Sequence, residues 1–483
     1  MDHQTLITSV VEEVIRQLGS TAGSGGASTG PAMMVGASSS LSSLTGRWSE
    51  VDPAVESATR AQRQLVDQGL ATRDAICKLL KKIAADNAKE WGRIELEETK
   101  VGRLDHKIAK LELLQSIPGV EFLRAHGTVS HSGDQGVALD EAAPWGVIGA
   151  ITPVTHSIPT LTANAIAMIA AGNAMVVNAH PSGAKCAAMA AETYNRAIKQ
   201  AFGIDALINL IDPPTLRSAE EIFKHERIPL LVVTGGPAVA RAALKQPKRA
   251  IVAGPGNPPV VIDDTADLDR AARAIIQGGG FDNNLLCIGE KEVFVVASVF
   301  GKMLEAMRRA GAVMLNDAQV VKLTEAAFTW QKDHYAVNKD YVGKDPAVLG
   351  QAAGVHVPAG VDLLFGVTDE SNPFVPEEQM MPFVPFVKCN SFDDALALAV
   401  KHEHGFGHTA MIHSNNLANI TRMGRAMNTT IFVANGPSTG GLGMGGEGYP
   451  SYSIATPTGE GITTPLTFTR FRRAGVCAAL RMI

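Results

Sequence analysis

The chain has 483 residues, 46% hydrophobic and 19% charged, with a formal net charge of −5. That length and composition allow two or three domains with real cores, and no Lys/Arg run offers a surface for nucleic acid. Apolar segments such as IAMIAAG (166–172) fall well short of the roughly 20 residues a membrane span needs, so a soluble, cytoplasmic protein is expected.

In chain order, residues 2–18 come first. Leu6, Ile7, Val10, Val11, Val14, Ile15 and Leu18 form one apolar stripe at helical spacing, with Asp2, Glu12, Glu13 and Arg16 off it. Residues 19–46 are rich in Gly, Ser, Ala and Thr and read as a flexible tether. An isolated helix of this size is marginal in water, so its stripe needs a partner. That partner is either the parent domain, an oligomer contact or a groove on another protein; the long tether favours the groove. From Val51 to about Ser116 the pattern is helical. After it, GVIGAIT (146–152), AMVVNAH (174–180), LINLI (207–211), PLLVVTG (229–235) and PVVID (259–263) read as strands. Helical patterns at 160–172, 182–201 and 237–245 separate several of them. Nearly continuous apolar strands alternating with helices predict a parallel sheet covered on both faces, hence an α/β fold. A second α/β region is expected from about Asp267, with helices over 266–278 and 299–311 and a strand over 291–297. The tail from SYSIATPTGEGIT to LTFTRFRR reads as extended segments for a sheet edge or a subunit contact.

Five cysteines lie far apart with no CxxC pair, which suits a reducing compartment and no disulfide framework. No HExxH spacing occurs, and HEH (402–404) reads as a solvated helix end, so no metal site is expected. LLVVTGGPAVARAA (230–243) is strand, Gly-Gly turn and Pro-initiated helix, and VNAHPSGAK (177–185) is a similar turn. Such turns at the carboxyl ends of α/β strands suit a dinucleotide pyrophosphate, and they equally fit a structural crossover. Cys287, in FDNNLLCIGEKEV (281–293), follows a Gly-Gly-Gly-Phe-Asp-Asn-Asn loop that leaves its N–H free to donate to an oxyanion. From spacing alone it is a nucleophile or an ordinary thiol in equal measure. The other four, Cys77, Cys186, Cys389 and Cys477, sit in apolar or helical contexts that predict buried small hydrophobes.

From about Trp48 onward the chain resembles the aldehyde dehydrogenase superfamily, and within it the CoA-acylating acetaldehyde and propionaldehyde dehydrogenases of bacterial microcompartments. APWGVIGAITP (143–153), AAGNAMVVNAHP (170–181), AGPGNPPVVIDDTADL (253–268), FDNNLLCIGEKEVFV (281–295), EQMMPFVP (378–385), GHTAMIHS (407–414) and NGPSTGGLGMGGEG (435–448) carry the resemblance. It implies a Rossmann-type NAD-binding domain over 47–265 with 434–483, which also holds oligomerisation segments, and a catalytic domain over 266–433. It implies Cys287 as nucleophile, with NAD as cofactor and coenzyme A as acyl acceptor. Thr152, Asn178, His180, Pro181, Thr234, Gly235, Gly236 and Glu378 match cofactor-binding positions, Glu378 that of the glutamate on the nicotinamide ribose. His408 matches a histidine of the acylating branch, although a packing role fits it almost as well. Where the branch reads Thr-Asn-Pro with an oxyanion-binding amide, this chain has Thr155-His156-Ser157, which makes His156 the candidate donor in its place. Val252 stands where hydrolytic relatives place a water-activating glutamate, and valine cannot take a proton. The resemblance therefore implies acyl transfer to CoA from a short aldehyde; a hydrolytic dehydrogenase and a weakly active shell-binding assembly protein are the competing readings. It further implies that residues 1–18 are an encapsulation helix for a shell protein in a microcompartment lumen, and that the protein is a homodimer or homotetramer. Acetaldehyde, propionaldehyde and lactaldehyde stay open as substrates, as does NADP beside NAD.

Overall fold

A computed structural model describes residues 44–332 and 334–480. The expected helix at 2–18 and most of the tether lie outside them. The chain divides into two compact units. The first runs through Thr99 and takes in Ile108–Ala253 and the chain from Ser451 on; the second is Lys100–Lys107 with Gly254–Pro450.

The first unit is built on a six-stranded sheet. Its order is Arg47–Trp48, Ile208–Ile211, Ala174–Ala179, Val147–Thr152, Leu230–Thr234 and Arg249–Ala253, and every neighbouring pair is parallel. From the Val147–Thr152 strand the chain winds outward through Ala174–Ala179 to Ile208–Ile211, then returns to Leu230–Thr234 on its other side. The strand order thus reverses between Val147–Thr152 and Leu230–Thr234, where crevices open in doubly wound sheets. All six residues of Val147–Thr152 and of Ala174–Ala179 are buried, because helices cover both faces. The helix Ser157–Ala170 is buried at all 14 positions, as a helix that is apolar nearly all round must be. The expected strands and helices are found within two residues, except that the helix expected over 160–172 begins three residues earlier, at Ser157. Arg249–Ala253 is a strand the sequence reading passed over, since Arg249 and Ala250 at its start break the apolar run.

The tail strand Thr469–Cys477 pairs antiparallel with Gly136–Pro144, whose other neighbour is Thr128–Gly133. Here the extended tail does join a sheet. It is exposed along nearly its whole length, so Cys477 is exposed and not the buried hydrophobe its context suggested.

The second unit carries a seven-stranded parallel sheet in the order Val313–Leu315, Leu364–Thr368, Phe383–Cys389, Glu292–Val296, Pro259–Ile262, Thr409–His413 and Ile431–Ala434. Pro259–Ile262 pairs with Glu292–Val296 and Thr409–His413, so the unit begins at Gly254, ahead of the expected residue 266. Residues 434–450 also belong to it rather than to the NAD-binding half, with Ser438 bonded through its amide and hydroxyl to buried Glu290. HEH is no solvated helix end either: His402 and Glu403 are buried, and Glu403 Oε1 accepts the His408 N–H at 2.8 Å.

Candidate active site

In the first unit the candidate cofactor residues gather at the carboxyl edge of the sheet. Thr152 ends the Val147–Thr152 strand, fully buried, with no hydrogen-bond partner for Oγ1 among the described residues. Asn178 lies near the end of the next strand and is held from both sides: Ser218 Oγ donates to its Oδ1 at 2.6 Å, and its Nδ2 donates to Thr215 O at 3.2 Å. Thr215 and Ser218 are themselves the capping box of the helix Leu216–Lys224, so Asn178 locks the helix start to the strand end. His180 N donates to Thr152 O at 3.1 Å, tying two strand ends together, and its Nδ1 accepts the Ser182 N–H at 3.2 Å. Pro181 opens the short turn that follows. Thr234 ends the strand across the reversal, and its hydroxyl pairs with Ser453 Oγ at 2.7 Å. A β-carbon at Gly236 would meet nothing, and one at Gly235 would meet only Ile151 Cγ2 at 4.0 Å. The Gly-Gly turn is therefore an open cradle, leading into the helix Pro237–Leu244 with no side-chain cap on its first N–H groups. The open cradle and the orphaned Thr152 hydroxyl at a strand reversal fit a dinucleotide.

His156, the candidate oxyanion donor, is in this unit. It caps the helix Ser157–Ala170 and packs against Tyr452 with ring centroids 5.6 Å apart. Val252 is fully buried in the Arg249–Ala253 strand beside Val233, and its N–H donates to Thr458 Oγ1 at 3.1 Å.

The second unit holds Cys287, Glu378 and His408. The glycines ahead of Cys287 are not a loop; they close the helix Leu268–Gly280. Gly278 is small for a reason, since a β-carbon there would lie 2.0 Å from the Glu290 carboxylate. Asp282, Asn283 and Asn284 then take three successive left-handed conformations, φ 50°, 56° and 63°. Such residues cost about 1 kcal/mol each and persist only when over-determined. Asp282 N–H donates to His106 Nδ1 at 2.8 Å, and Asp282 Oδ1 accepts the Arg103 N–H at 2.9 Å. Asn283 Nδ2 donates to Gly343 O and to Asp345 Oδ1, and Asn284 Nδ2 to Glu290 O at 2.9 Å. The sequence reading saw this polar run but not that all three side chains are buried and bonded within the fold.

The turn presents Cys287 partly exposed, whereas Cys77, Cys186 and Cys389 are buried. Burial of its sulfur pushes the thiol up to about 12, and Glu378 adds to this; Lys291 and the backbone N–H groups of Cys287 and Ile288 pull the other way. The Glu378 carboxyl is raised by desolvation, offset by Lys291 and the Gly256 amide. A β-carbon on Gly256 would lie 2.5 Å from the Cys287 carbonyl oxygen and 3.0 Å from His408 Cγ. Gly256 thus lets Cys287, Glu378 and His408 converge on one spot. His408 is buried, its Nδ1 shares a hydrogen with Thr409 Oγ1 at 2.9 Å, and its Nε2 has no partner among the described residues. Desolvation and the Lys291 charge lower it to about 4, so it is neutral at neutral pH. Among the described residues no group of His, Cys, Asp and Glu is arranged to hold a metal ion, and no helix is long and apolar enough to cross a membrane.

The aldehyde dehydrogenase family profile matches residues 43–452. The chain belongs to the aldehyde dehydrogenase family. It is 41% identical over 442 residues to an acetylating acetaldehyde dehydrogenase of Salmonella typhimurium, covering 91% of this chain and 94% of the relative. An acetylating acetaldehyde dehydrogenase of Bilophila wadsworthia is 38% identical over 99% of both chains. Among solved structures, a propionaldehyde dehydrogenase of the Clostridium phytofermentans fucose-utilisation microcompartment aligns at TM-score 0.87 and 38% identity, over 91% of this chain and all of that one. Rhodopseudomonas palustris propionaldehyde dehydrogenase with bound propionyl-CoA aligns at TM-score 0.87 and 35% identity, over 96% and 100%.

Proposed function

We propose that this member of the aldehyde dehydrogenase family is a CoA-acylating aldehyde dehydrogenase, converting a short aldehyde, NAD+ and CoA to acyl-CoA and NADH. The observation that carries the acyl-transfer reading is Val252. Where hydrolytic relatives use a glutamate, this chain has a fully buried aliphatic side chain that can activate no water.

Cys287 as thiolate attacks the aldehyde carbonyl carbon, forming a C–S bond and a thiohemiacetal. The Cys287 N–H and an imidazole N–H of His156 are the assigned donors to its oxyanion. Bound NAD+ supplies the hydride acceptor that lets this adduct become a thioester. Thr152, Asn178, His180, Pro181, Thr234, Gly235 and Gly236 hold the dinucleotide, and Glu378 its nicotinamide ribose. The CoA thiolate then attacks the thioester carbonyl, and Cys287 leaves as the thiolate. His408, neutral with Nε2 unpartnered, is the residue assigned to assist the thiol and thioester chemistry of this step.

Relatives from microcompartments support a further reading, in which the protein is lumenal cargo that binds shell protein through residues 1–18 and associates as a homodimer or homotetramer through its exposed tail sheet. Two assays test the whole. NADH formation with acetaldehyde or propionaldehyde should require CoA and yield acyl-CoA one for one, and equal rates without CoA would overturn acyl transfer. Deleting residues 1–18 should abolish partition into shells while leaving catalysis intact.

A further inference from the structure

One buried cation sits where this chemistry needs it. Lys291 follows Cys287 by four residues and is fully buried. An ammonium has three protons, and Nζ has three acceptors: Asn284 O at 2.8 Å, Leu286 O at 3.3 Å, and Asn284 Oδ1. All three belong to the turn that ends in Cys287. The backbone of Lys291 is fixed as well, because its N–H donates to Pro258 O at 3.0 Å and its carbonyl accepts Gln379 Nε2 at 3.2 Å. A lysine so enclosed cannot swing out to water. Yet its charge is not spent on one carboxylate: among the described residues the acceptors of Nζ are two backbone carbonyls and the Asn284 amide oxygen.

We propose that Lys291 is a positioning residue for the nucleophile: it braces the Asn284–Cys287 turn and is the fixed positive charge against which the Cys287 thiolate forms. The proposal rests on reading Cys287 as the nucleophile. Burial draws Lys291 below the ordinary lysine value, while Glu378, Cys287, Glu292 and Glu290 favour its charged form. The groups facing it divide by sign. Glu378 opposes thiolate formation at Cys287 and Lys291 favours it, while Glu290 and Glu292 are both pushed up by burial and thereby toward neutrality. His408 is neutral. When Cys287 ionises, the charge that balances it is that of Lys291.

The test reads the thiol directly. In a Cys477→Ser background, which removes the one exposed cysteine, iodoacetamide alkylation of Cys287 is followed against pH and checked by peptide mass. Lys291→Met should move the alkylation profile to higher pH and slow modification at pH 7.5 about tenfold or more. It should lower kcat with little change in KM for aldehyde. Lys291→Arg, where it folds, should recover part of the profile. A brace without an electrostatic role would lower kcat and leave the alkylation profile in place, which would overturn the proposal. If Lys291→Met does not fold, Lys291→Gln decides: it keeps hydrogen-bond donors at the turn and loses the charge, so the profile should move to higher pH, and an unmoved profile overturns the proposal. Failure of the underlying reading looks different, since Cys287→Ala would then retain CoA-dependent turnover whatever the alkylation profile does.

Discussion

The carboxyl edge of the first unit and the Cys287 turn of the second solve opposite problems. At the edge, Gly235 and Gly236 face open space, and the polar side chains Asn178, His180 and Thr234 already have partners in Ser218, Ser182 and Ser453. Nothing there is strained, so the edge can receive a flexible polyphosphate ligand without rearranging. At the turn, three left-handed residues lead into Cys287, and Glu290, Lys291 and Glu292 after it are fully buried. That turn holds a thiol where water would otherwise screen the charges meant to activate it. On the proposed reading, binding would be met by open, relaxed backbone, and bond making by enclosed, over-determined backbone.

Substitutions at the turn should therefore cost most. Cys287→Ala should lower aldehyde oxidation by about a thousandfold or more in steady-state assays, with folding unchanged by circular dichroism. Gly256→Ala comes next. Its β-carbon would have to push the Cys287 carbonyl or the His408 ring aside, so kcat should fall on the order of a hundredfold while NAD+ affinity by calorimetry holds. Val252→Glu would not create a hydrolase. It would place an unpaired carboxylate in a fully buried strand position and should destabilise the fold by about 2 kcal/mol or more, read as a lower denaturation midpoint. At the edge the effects should be milder: Thr152→Val should raise KM for NAD+ only several-fold, because one orphaned hydroxyl is lost and no packing changes.

The last effect, on pH dependence, appears only in acid. His413 is buried with neither ring nitrogen partnered among the described residues, and burial first, then Arg270, lowers it to about 4. An unfolded histidine takes its proton near 6.5, so between about pH 6.5 and 4 the unfolded chain binds more protons than the folded one. Stability should thus be full above 6.5 and fall with acid through that window, by about 1.4 kcal/mol per pH unit for this group. His413→Gln should flatten the slope of denaturation midpoint against pH; an unaltered slope would mean His413 is not held neutral.

The same contrast explains what was legible in the sequence. Strand-turn-helix units at 146–152, 174–180 and 229–235 announce themselves through continuous apolar runs and the glycines and proline after them, and each is found within about two residues. The turn did not read so clearly. Gly278–Gly280 suggested a loop but end a helix, because the demand for small residues comes from Glu290 at Gly278 and Asp362 at Gly280, whose positions only the fold supplies. HEH misled for the same reason, as His402 and Glu403 are charged in sequence but buried by long-range packing. The unit boundary at Gly254 rather than residue 266 depends on Pro259–Ile262 pairing with strands some 30 and 150 residues later, which no local pattern encodes. Family resemblance found Cys287; it took the side-chain network to show what surrounds it.

The central claim is that Cys287 holds an acyl group that only another thiol removes. It is tested most directly by intact and peptide mass spectrometry after mixing the enzyme with NAD+ and propionaldehyde but no CoA. One propionyl group should appear on the peptide containing Cys287, persist over many minutes, and leave as propionyl-CoA when CoA is added. An adduct that water clears as fast as CoA does, or no adduct on Cys287 at all, would contradict the account.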